Sequence, residues 1–291
     1  MNTRLLRYFI AVAEELNFSR AAKRLNMAQP PLSQQIMQLE NEIGAQLFRR
    51  NKRMVQLTDA GKVFLKEAQS LLLQMEQAGQ KARLAEQGQL GDLRIGFVGS
   101  ASDGSFVEKI KEFYQQNPSV NLQLLELTSS EQMDALYAKE IDLGLMRRQS
   151  VNQTLHSSRI AEEPLVLVLP EHHALASKVA LSAEDVAHDR FILFPRRLGP
   201  DFYDLIIGFF QSHEVSLNIV QEAIHMHTIV NLVSTGIGIA VVPASVTNFK
   251  RPGIVYKNFI HSTPTVGLYA TWRKDNDSAV LQSFLSKVLR G

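Results

Sequence analysis

The spacing of hydrophobic residues changes character twice along this chain. Up to about residue 44 they recur at helical spacing in short runs, and from about residue 58 to 87 a single apolar stripe continues unbroken. Beyond residue 92, short apolar runs alternate with amphipathic segments. The first stretch predicts three helices. Leu6, Phe9, Ile10, Ala13 and Leu16 make one buried stripe on a helix over residues 3–16. A short helix over residues 20–25 follows, with Ser19 placed to accept a backbone N–H bond at its start. Ala21 and Ala22 are small enough to let another helix come close, and Asn26, Met27 and Ala28 supply a turn. The third helix opens near Pro30, where a missing N–H is tolerated. Leu32, Ile36, Leu39 and Ile43 face the core, Gly44 ends the helix, and Pro30, Ser33, Gln34, Met37 and Gln38 are left on its outer face.

After Gly44 comes a basic turn, Arg49-Arg50-Asn51-Lys52-Arg53, flanked by Leu47 and Phe48 on one side and by Val55 and Leu57 on the other. The alternation of Val55 and Leu57 with polar neighbours predicts a short hairpin strand. Two short helices, a tight turn and a basic hairpin are the layout of a winged helix-turn-helix, which fits the major groove of DNA. Gln pairs with adenine at two points and Ser with several bases, so a Ser/Gln face at a helix start suits base edges. A basic hairpin tip reaches phosphates or the minor groove.

The long stripe contains Phe64, Leu65, Ala68, Leu71, Leu72, Met75, Ala78, Ala82 and Ala85 in near-heptad order. A helix over residues 58–87, capped by Thr58, would be roughly 45 Å long and cannot bury that seam alone. Pairing with a second copy, parallel or antiparallel, would cover it, as would packing on the chain's own C-terminal part. Two copies also suit recognition of two DNA half-sites. Residues 87–91 read as a flexible hinge.

From residue 92 the pattern predicts an α/β sheet. Strands are expected over residues 93–98, 120–127, 141–146, 164–170, 191–194, 236–243 and 265–272. Helices are expected over 106–116, 132–139, 202–212, 229–235 and 279–289. Ligands bind at the C-terminal ends of parallel strands, and three such ends carry polar groups: Gly99-Ser100-Ala101-Ser102, Thr128-Ser129-Ser130 and Arg147-Arg148. Ser129-Ser130-Glu131-Gln132 has capping-box spacing and places a helix start at Ser129. Helix N-termini and an arginine facing one cleft favour an anion, with a small carboxylate as the natural candidate. Residues 195–202 form a stiff loop with an aromatic end that would cover the cleft.

Composition narrows the functional classes. There are no cysteines, which excludes disulfides and thiolate metal sites. His225 and His227 are two apart, and His172 and His173 are adjacent, so no metal site is expected. The apolar run of residues 8–13 is cut by Glu14 and Glu15, too early for a signal core, and no run approaches a membrane span. Residues 1–58 hold nine Lys/Arg against four Asp/Glu, and the remainder holds 22 against 25. A basic head on a mildly acidic body points to polyanion contact through the head alone. No Gly-x-Ser-x-Gly elbow, Walker loop or Cys/His spacing signals an enzyme. A solute-binding transport protein would account for the body but not for the head.

The head resembles the N-terminal domain of the LysR-type transcriptional regulators. The shared pattern is Leu6-x-x-Phe9, Ser19-x-Ala21-Ala22-x-x-Leu25, Gln29-x-x-Leu32-Ser33-x-x-Ile36, Leu39-Glu40, Leu47-Phe48-x-Arg50 and Leu57-Thr58-x-Ala60-Gly61. The body is similar to that family's effector-binding domain, itself similar to type 2 periplasmic binding proteins. That likeness is clearest at Arg94-Ile-Gly-Phe, Asp142-x-Gly-Leu, Pro164-Leu, Gly236-x-Gly-Ile and Val242-Pro-Ala-Ser245. The resemblance implies an all-α winged helix-turn-helix (1–58), a linker and dimerisation helix with hinge (59–90), and an α/β body of two Rossmann-like lobes (91–291). Lobe I would hold residues 91–162 and 267–291, and lobe II residues 163–266. It implies major-groove contacts by Gln29, Pro30, Ser33 and Gln34, with Gln34 standing where many members carry Arg, and wing contacts by Arg50 and Arg53. It maps an effector cleft onto Ser100, Ser129, Arg147 and Phe202; Ser100, Ser129 and Phe202 resemble positions used by the subgroup that senses aromatic acids and muconate. The expectation is a cytoplasmic, nucleoid-associated, sequence-specific regulator that binds promoter DNA as a dimer or dimer of dimers. It would need no cofactor beyond a small-molecule effector, an anionic or aromatic carboxylate, and would have RNA polymerase as a further partner.

Overall fold

The computed structural model describes residues 2–51, 54–102, 104, 106–150, 152–260 and 263–289. The chain divides into two units, Met1–Arg83 and Leu84–Gly291. In the first, helix α1 (Thr3–Glu15) starts where the Asn2 side chain accepts the Leu5 N–H at 3.0 Å. Leu5, Leu6, Phe9, Val12 and Ala13 are buried. Leu16, expected to end the stripe, is instead the left-handed C-cap (φ 46°) and is exposed. Helix α2 (Phe18–Arg24) is capped by Asn17, not Ser19. A cap needs extended backbone; Asn17 has it (φ −156°, ψ 115°) and accepts the Arg20 N–H at 3.0 Å, whereas Ser19 already lies inside the helix. Helix α3 (Gln29–Ile43) carries prolines in its first turn and ends on Gly44 at φ 75°, the left-handed region that glycine enters without strain.

Strands β1 (Phe48–Arg50) and β2 (Val55–Leu57) pair antiparallel, Phe48 opposite Leu57. Phe9 lies at the centre of the core, its ring 5.3 Å from Phe48 and 5.0 Å from Phe64. Helix α4 (Asp59–Glu86) opens on Thr58, whose Oγ accepts the Gly61 N–H at 2.9 Å and donates to the Gln46 carbonyl at 2.7 Å. A Cβ on Gly61 would stand 2.1 Å from the Leu47 carbonyl oxygen, so α4 can lie this close only with glycine there. Phe64, Leu65 and Leu72 rest partly buried on the core, while Leu71, Leu73 and Met75 are exposed.

The second unit begins with the last residues of α4. Within residues 87–91, expected as a hinge, the chain makes a tight helix stop. Gly88 is buried at φ 67°, Gln89 N–H bonds the Leu84 carbonyl at 2.8 Å, and a Cβ on Gly88 would stand 2.3 Å from the Ala279 carbonyl oxygen. There follow β3 (Leu90–Phe97), α5 (Phe106–Gln116), β4 (Ser119–Glu126), α6 (Ser129–Tyr137), β5 (Leu143–Met146), β6 (Leu155–Pro170), β7 (Ala180–Leu181) and β8 (Arg190–Leu193). The order continues with α7 (Pro200–Ser212), β9 (Asn218–Glu222), α8 (Met226–Ser234), β10 (Ala240–Pro243), β11 (Ile254–Phe259), β12 (Thr265–Arg273) and α9 (Ala279–Val288). One sheet runs β4-β3-β5-β12-β6-β11-β7, with β10 also on β6; β3, β4 and β5 are parallel.

The 16-residue β6 is twice as long as expected. Its first half pairs antiparallel with β12, and its second half pairs with β10 and β11. The two halves belong to different cores. Leu93, Ile95, Phe113, Leu143, Leu145 and Phe284 fill one, and Leu167, Phe191, Ile206, Phe210, Val230 and Val242 the other. β6 and β12 are therefore the crossovers between two lobes, and the cleft lies beside them.

Candidate functional site

Two surfaces collect the chemistry. On the head, Gln29, Pro30 and Gln34 are exposed on the first turns of α3, and Ser33 is half-buried beside them. Arg50 does not stand free at the hairpin tip. Its Nη2 donates to Glu40 Oε2 at 2.7 Å, its Nη1 reaches Ser33 Oγ at 3.4 Å, and its guanidinium carbon lies 4.8 Å from the centre of the Phe18 ring. Glu40 Oε1 meanwhile accepts the N–H groups of Leu47 (2.8 Å) and Phe48 (3.0 Å). Glu40 thus joins the body of α3 to the start of the hairpin, and Arg50 stretches along the same seam. Arg53 lies outside the described residues; Arg49 is exposed.

In the body, the ends of parallel strands β3, β4 and β5 open on a cavity of about 310 Å³. Ser100, Ser129, Arg147 and Phe202, named from four separate segments, all line it and are all buried. Ser129 is not the cap of α6. Thr128 is, with its side chain on the Glu131 N–H and the Glu131 carboxylate on the Thr128 N–H at 2.8 Å. The one-residue shift frees the Ser129 hydroxyl, which accepts the Arg147 backbone N–H at 3.3 Å. Those Thr128 bonds hold the Glu131 carboxyl below the usual carboxylate range.

Arg147 is the buried cation of the cleft. Its Nε donates to Ser100 Oγ at 3.3 Å and its Nη2 to Glu163 Oε1 at 2.5 Å. Its Nη1 is buried with no hydrogen-bond partner. Burial pushes the Arg147 pKa down and Glu163 pushes it back up. Glu163 sits in the middle of β6, where one lobe gives way to the other. Its carboxylate also accepts the backbone N–H of Ser245 and, at 3.0 Å, the Ser245 hydroxyl proton. Ser245 belongs to the turn after β10 in the other lobe. Further pairs span the cleft: the Ser245 hydroxyl with the Ser100 carbonyl at 3.3 Å, His225 Nδ1 with Glu126 Oε1 at 3.1 Å, Arg148 with Asp201 at 3.3 Å, and the Ser130 hydroxyl with the Arg197 carbonyl at 3.5 Å. The apolar wall is built from Leu127, Phe194, Leu198, Phe202, Ile224 and Met226.

Residues 3–62 match the family described as "Bacterial regulatory helix-turn-helix protein, lysR family", and residues 86–290 match "LysR substrate binding domain". The chain belongs to the LysR family of transcriptional regulators. It is similar to the HTH-type transcriptional regulator AlsR of Bacillus subtilis (strain 168), 38% identical over 98% of this chain and 94% of that protein. It is also similar to the crystal structure of CbnR, a LysR family transcriptional regulator, at a TM-score of 0.89 and 30% identity over 99% of this chain and 100% of that one. Full-length CbnR complexed with its target DNA gives a TM-score of 0.89 at 29% identity, over 100% of this chain and 99% of that one.

As a LysR-type regulator, the chain is a DNA-binding transcription factor with an effector-binding domain, and the solute-transport alternative finds no support. Within that frame, the sequence left several cleft residues unnamed. Glu163 falls just before the expected strand over 164–170, Ser245 ends a family signature, and Glu126 lies within the expected strand over 120–127. His225 was weighed only as a metal ligand. A single Glu beside Pro164 is a weak signal for a buried charge pair, because its partner Arg147 is sixteen residues away and the two meet only when β6 pairs into the sheet. Among the described residues no cluster of three or more His, Asp or Glu is placed to hold a metal, and no helix is long and apolar enough to cross a membrane.

Proposed function

We propose that residues 1–58 bind promoter DNA with the start of α3 in the major groove, that residues 59–90 join two copies, and that residues 91–291 sense a small anionic or aromatic carboxylate. In this reading Gln29, Pro30, Ser33 and Gln34 approach base edges, and Arg53 and Arg49 serve phosphates. Arg50 is divided between DNA and Glu40. The effector's carboxylate meets Arg147 with Ser100 and Ser129 beside it, and Phe202 covers its apolar part. The regulator works in the cytoplasm as a dimer or dimer of dimers, with RNA polymerase as a further partner. It carries no cofactor beyond its effector and performs no catalysis.

The observation that carries the effector reading is Arg147: a buried guanidinium in the lining of a ligand-sized cavity, with its Nη1 left without a partner. A buried donor left unmatched costs about 1–3 kcal/mol, a cost an incoming oxygen removes. Ligand closes or opens the lobes only by binding one arrangement better than the other, and Glu163 and Ser245 lie where that change would be felt. The test is binding of the full chain to its own upstream DNA, with and without carboxylates. Arg147→Lys keeps the charge and loses the fork. It is expected to abolish the carboxylate effect and keep DNA affinity; equal loss of both would remove Arg147 from the effector site.

A further inference from the structure

Resting on that carboxylate reading, we propose that the cleft selects a small monocarboxylate whose apolar body also carries a hydroxyl or amino group, and that Glu126 is the residue reading that group. A dicarboxylate is disfavoured.

The argument is an account of donors and acceptors around the cavity. Arg147 is the one Lys or Arg among its lining residues, and its charge is already offset by Glu163. Its Nη1 is buried without a partner, and a single basic side chain serves a single carboxylate. The other charged lining groups are acidic. Glu131 is satisfied by Thr128, which closes its helix cap. Glu126 is different. Its Oε1 accepts from His225, while its other oxygen has no bond to another residue of the cleft. Gly99 leaves room for that position: a Cβ there would be 2.4 Å from Glu126 Oε1, and the flexible carboxylate end would have to shift. Glu126 thus places a carboxylate on the cavity wall. A second ligand carboxylate would meet Glu126 and Glu131, like charge against like charge, whereas a ligand O–H or N–H would find an acceptor. Between the two polar poles lies the apolar wall of Phe194, Leu198, Phe202, Ile224 and Met226. The site is thus built for one anionic end, an apolar middle and a donating substituent.

The experiment is calorimetric titration of the full-length protein with benzoate, the three hydroxybenzoates, the three aminobenzoates and the three benzenedicarboxylates. One net hydrogen bond corresponds to roughly three- to tenfold in affinity. At least one hydroxy- or aminobenzoate is expected to bind tighter than benzoate by that factor, and every dicarboxylate weaker than benzoate. Glu126→Gln, at an exposed position, is expected to keep the melting temperature, shrink the donor advantage and strengthen dicarboxylate binding. Benzoate binding that Arg147→Lys removes, but with no gain from donors and no response to Glu126→Gln, would overturn this inference and leave the carboxylate reading standing. Tighter dicarboxylate binding in the parent protein would overturn it as well. No binding by any of the ten compounds at millimolar concentration would overturn the carboxylate reading together with it.

Discussion

Glu40 ties the hairpin to α3. It offers one carboxylate oxygen to the Leu47 and Phe48 N–H groups and the other to Arg50. Glu40→Ala leaves those donors unmatched and is expected to destabilise the head by about 2 kcal/mol, read as a lower midpoint in thermal unfolding; an unchanged midpoint would show that water replaces the carboxylate without loss. Gln34→Ala, at an exposed position on α3, should leave that midpoint alone. It should lower operator affinity by about 1–3 kcal/mol while sparing random DNA if Gln34 reads a base, which fluorescence anisotropy on both DNAs would reveal. The sequence made Arg50 look like a free phosphate contact because it sits in a run of five polar, mostly basic residues. Its partner is ten residues back on another element, and only the packing of the hairpin on α3 brings them together. Ser100, Ser129, Arg147 and Phe202 were easier to place on a common cleft, since three of them sit at ends of parallel strands and such ends share one edge.

Elements with a strong period were legible and those held by their neighbours were not. α5 falls on the predicted residues because its apolar positions repeat at helical spacing against a single core. The first half of β6 escaped notice because His156, Ser157, Ser158 and Arg159 show no apolar alternation. Those residues are strand because β12 pairs with them, and a Ser157–Thr271 side-chain bond at 3.1 Å crosses the pair. α6 opens at Ser129 as expected, but its cap lies one residue earlier, because Thr128 and Ser129 are both competent caps and the sequence alone does not choose. That cap is testable. Thr128→Ala should destabilise the body by about 1 kcal/mol. Glu131, with its folded-state pKa lowered by the Thr128 N–H and hydroxyl, contributes stability that is complete above the ordinary Glu range. That contribution fades as the pH falls through the lowered value. The Thr128→Ala deficit measured by urea unfolding should therefore shrink in acid; a pH-independent deficit would take Glu131 out of the cap. For α4, Leu71 and Met75 are exposed over a helix about 42 Å long. The double change Leu71→Glu and Met75→Glu is expected to shift the sedimentation coefficient to that of a smaller assembly at unchanged helical content. An unaltered coefficient would mean that copies meet elsewhere.

At the scale of the whole molecule, the charge division seen in the sequence matches the division of labour: the basic part is the helix-turn-helix, and the acidic part holds the cavity. Membership of the LysR family and the fold of both parts were legible from dense local motifs. The chemistry of the cleft was less so, because its decisive contacts, Arg147 to Glu163 to Ser245 and Glu126 to His225, join residues separated by 16 to 99 positions in sequence. The most direct measurement is a competition titration of the full-length protein on its own upstream DNA against random duplex, over a range of salt, with and without the carboxylate that binds best. The account predicts a preference for the native sequence, affinity for both DNAs falling as salt rises, and a change in operator affinity or footprint when ligand is added that Arg147→Lys abolishes. Equal affinity for native and random DNA under every condition would contradict it.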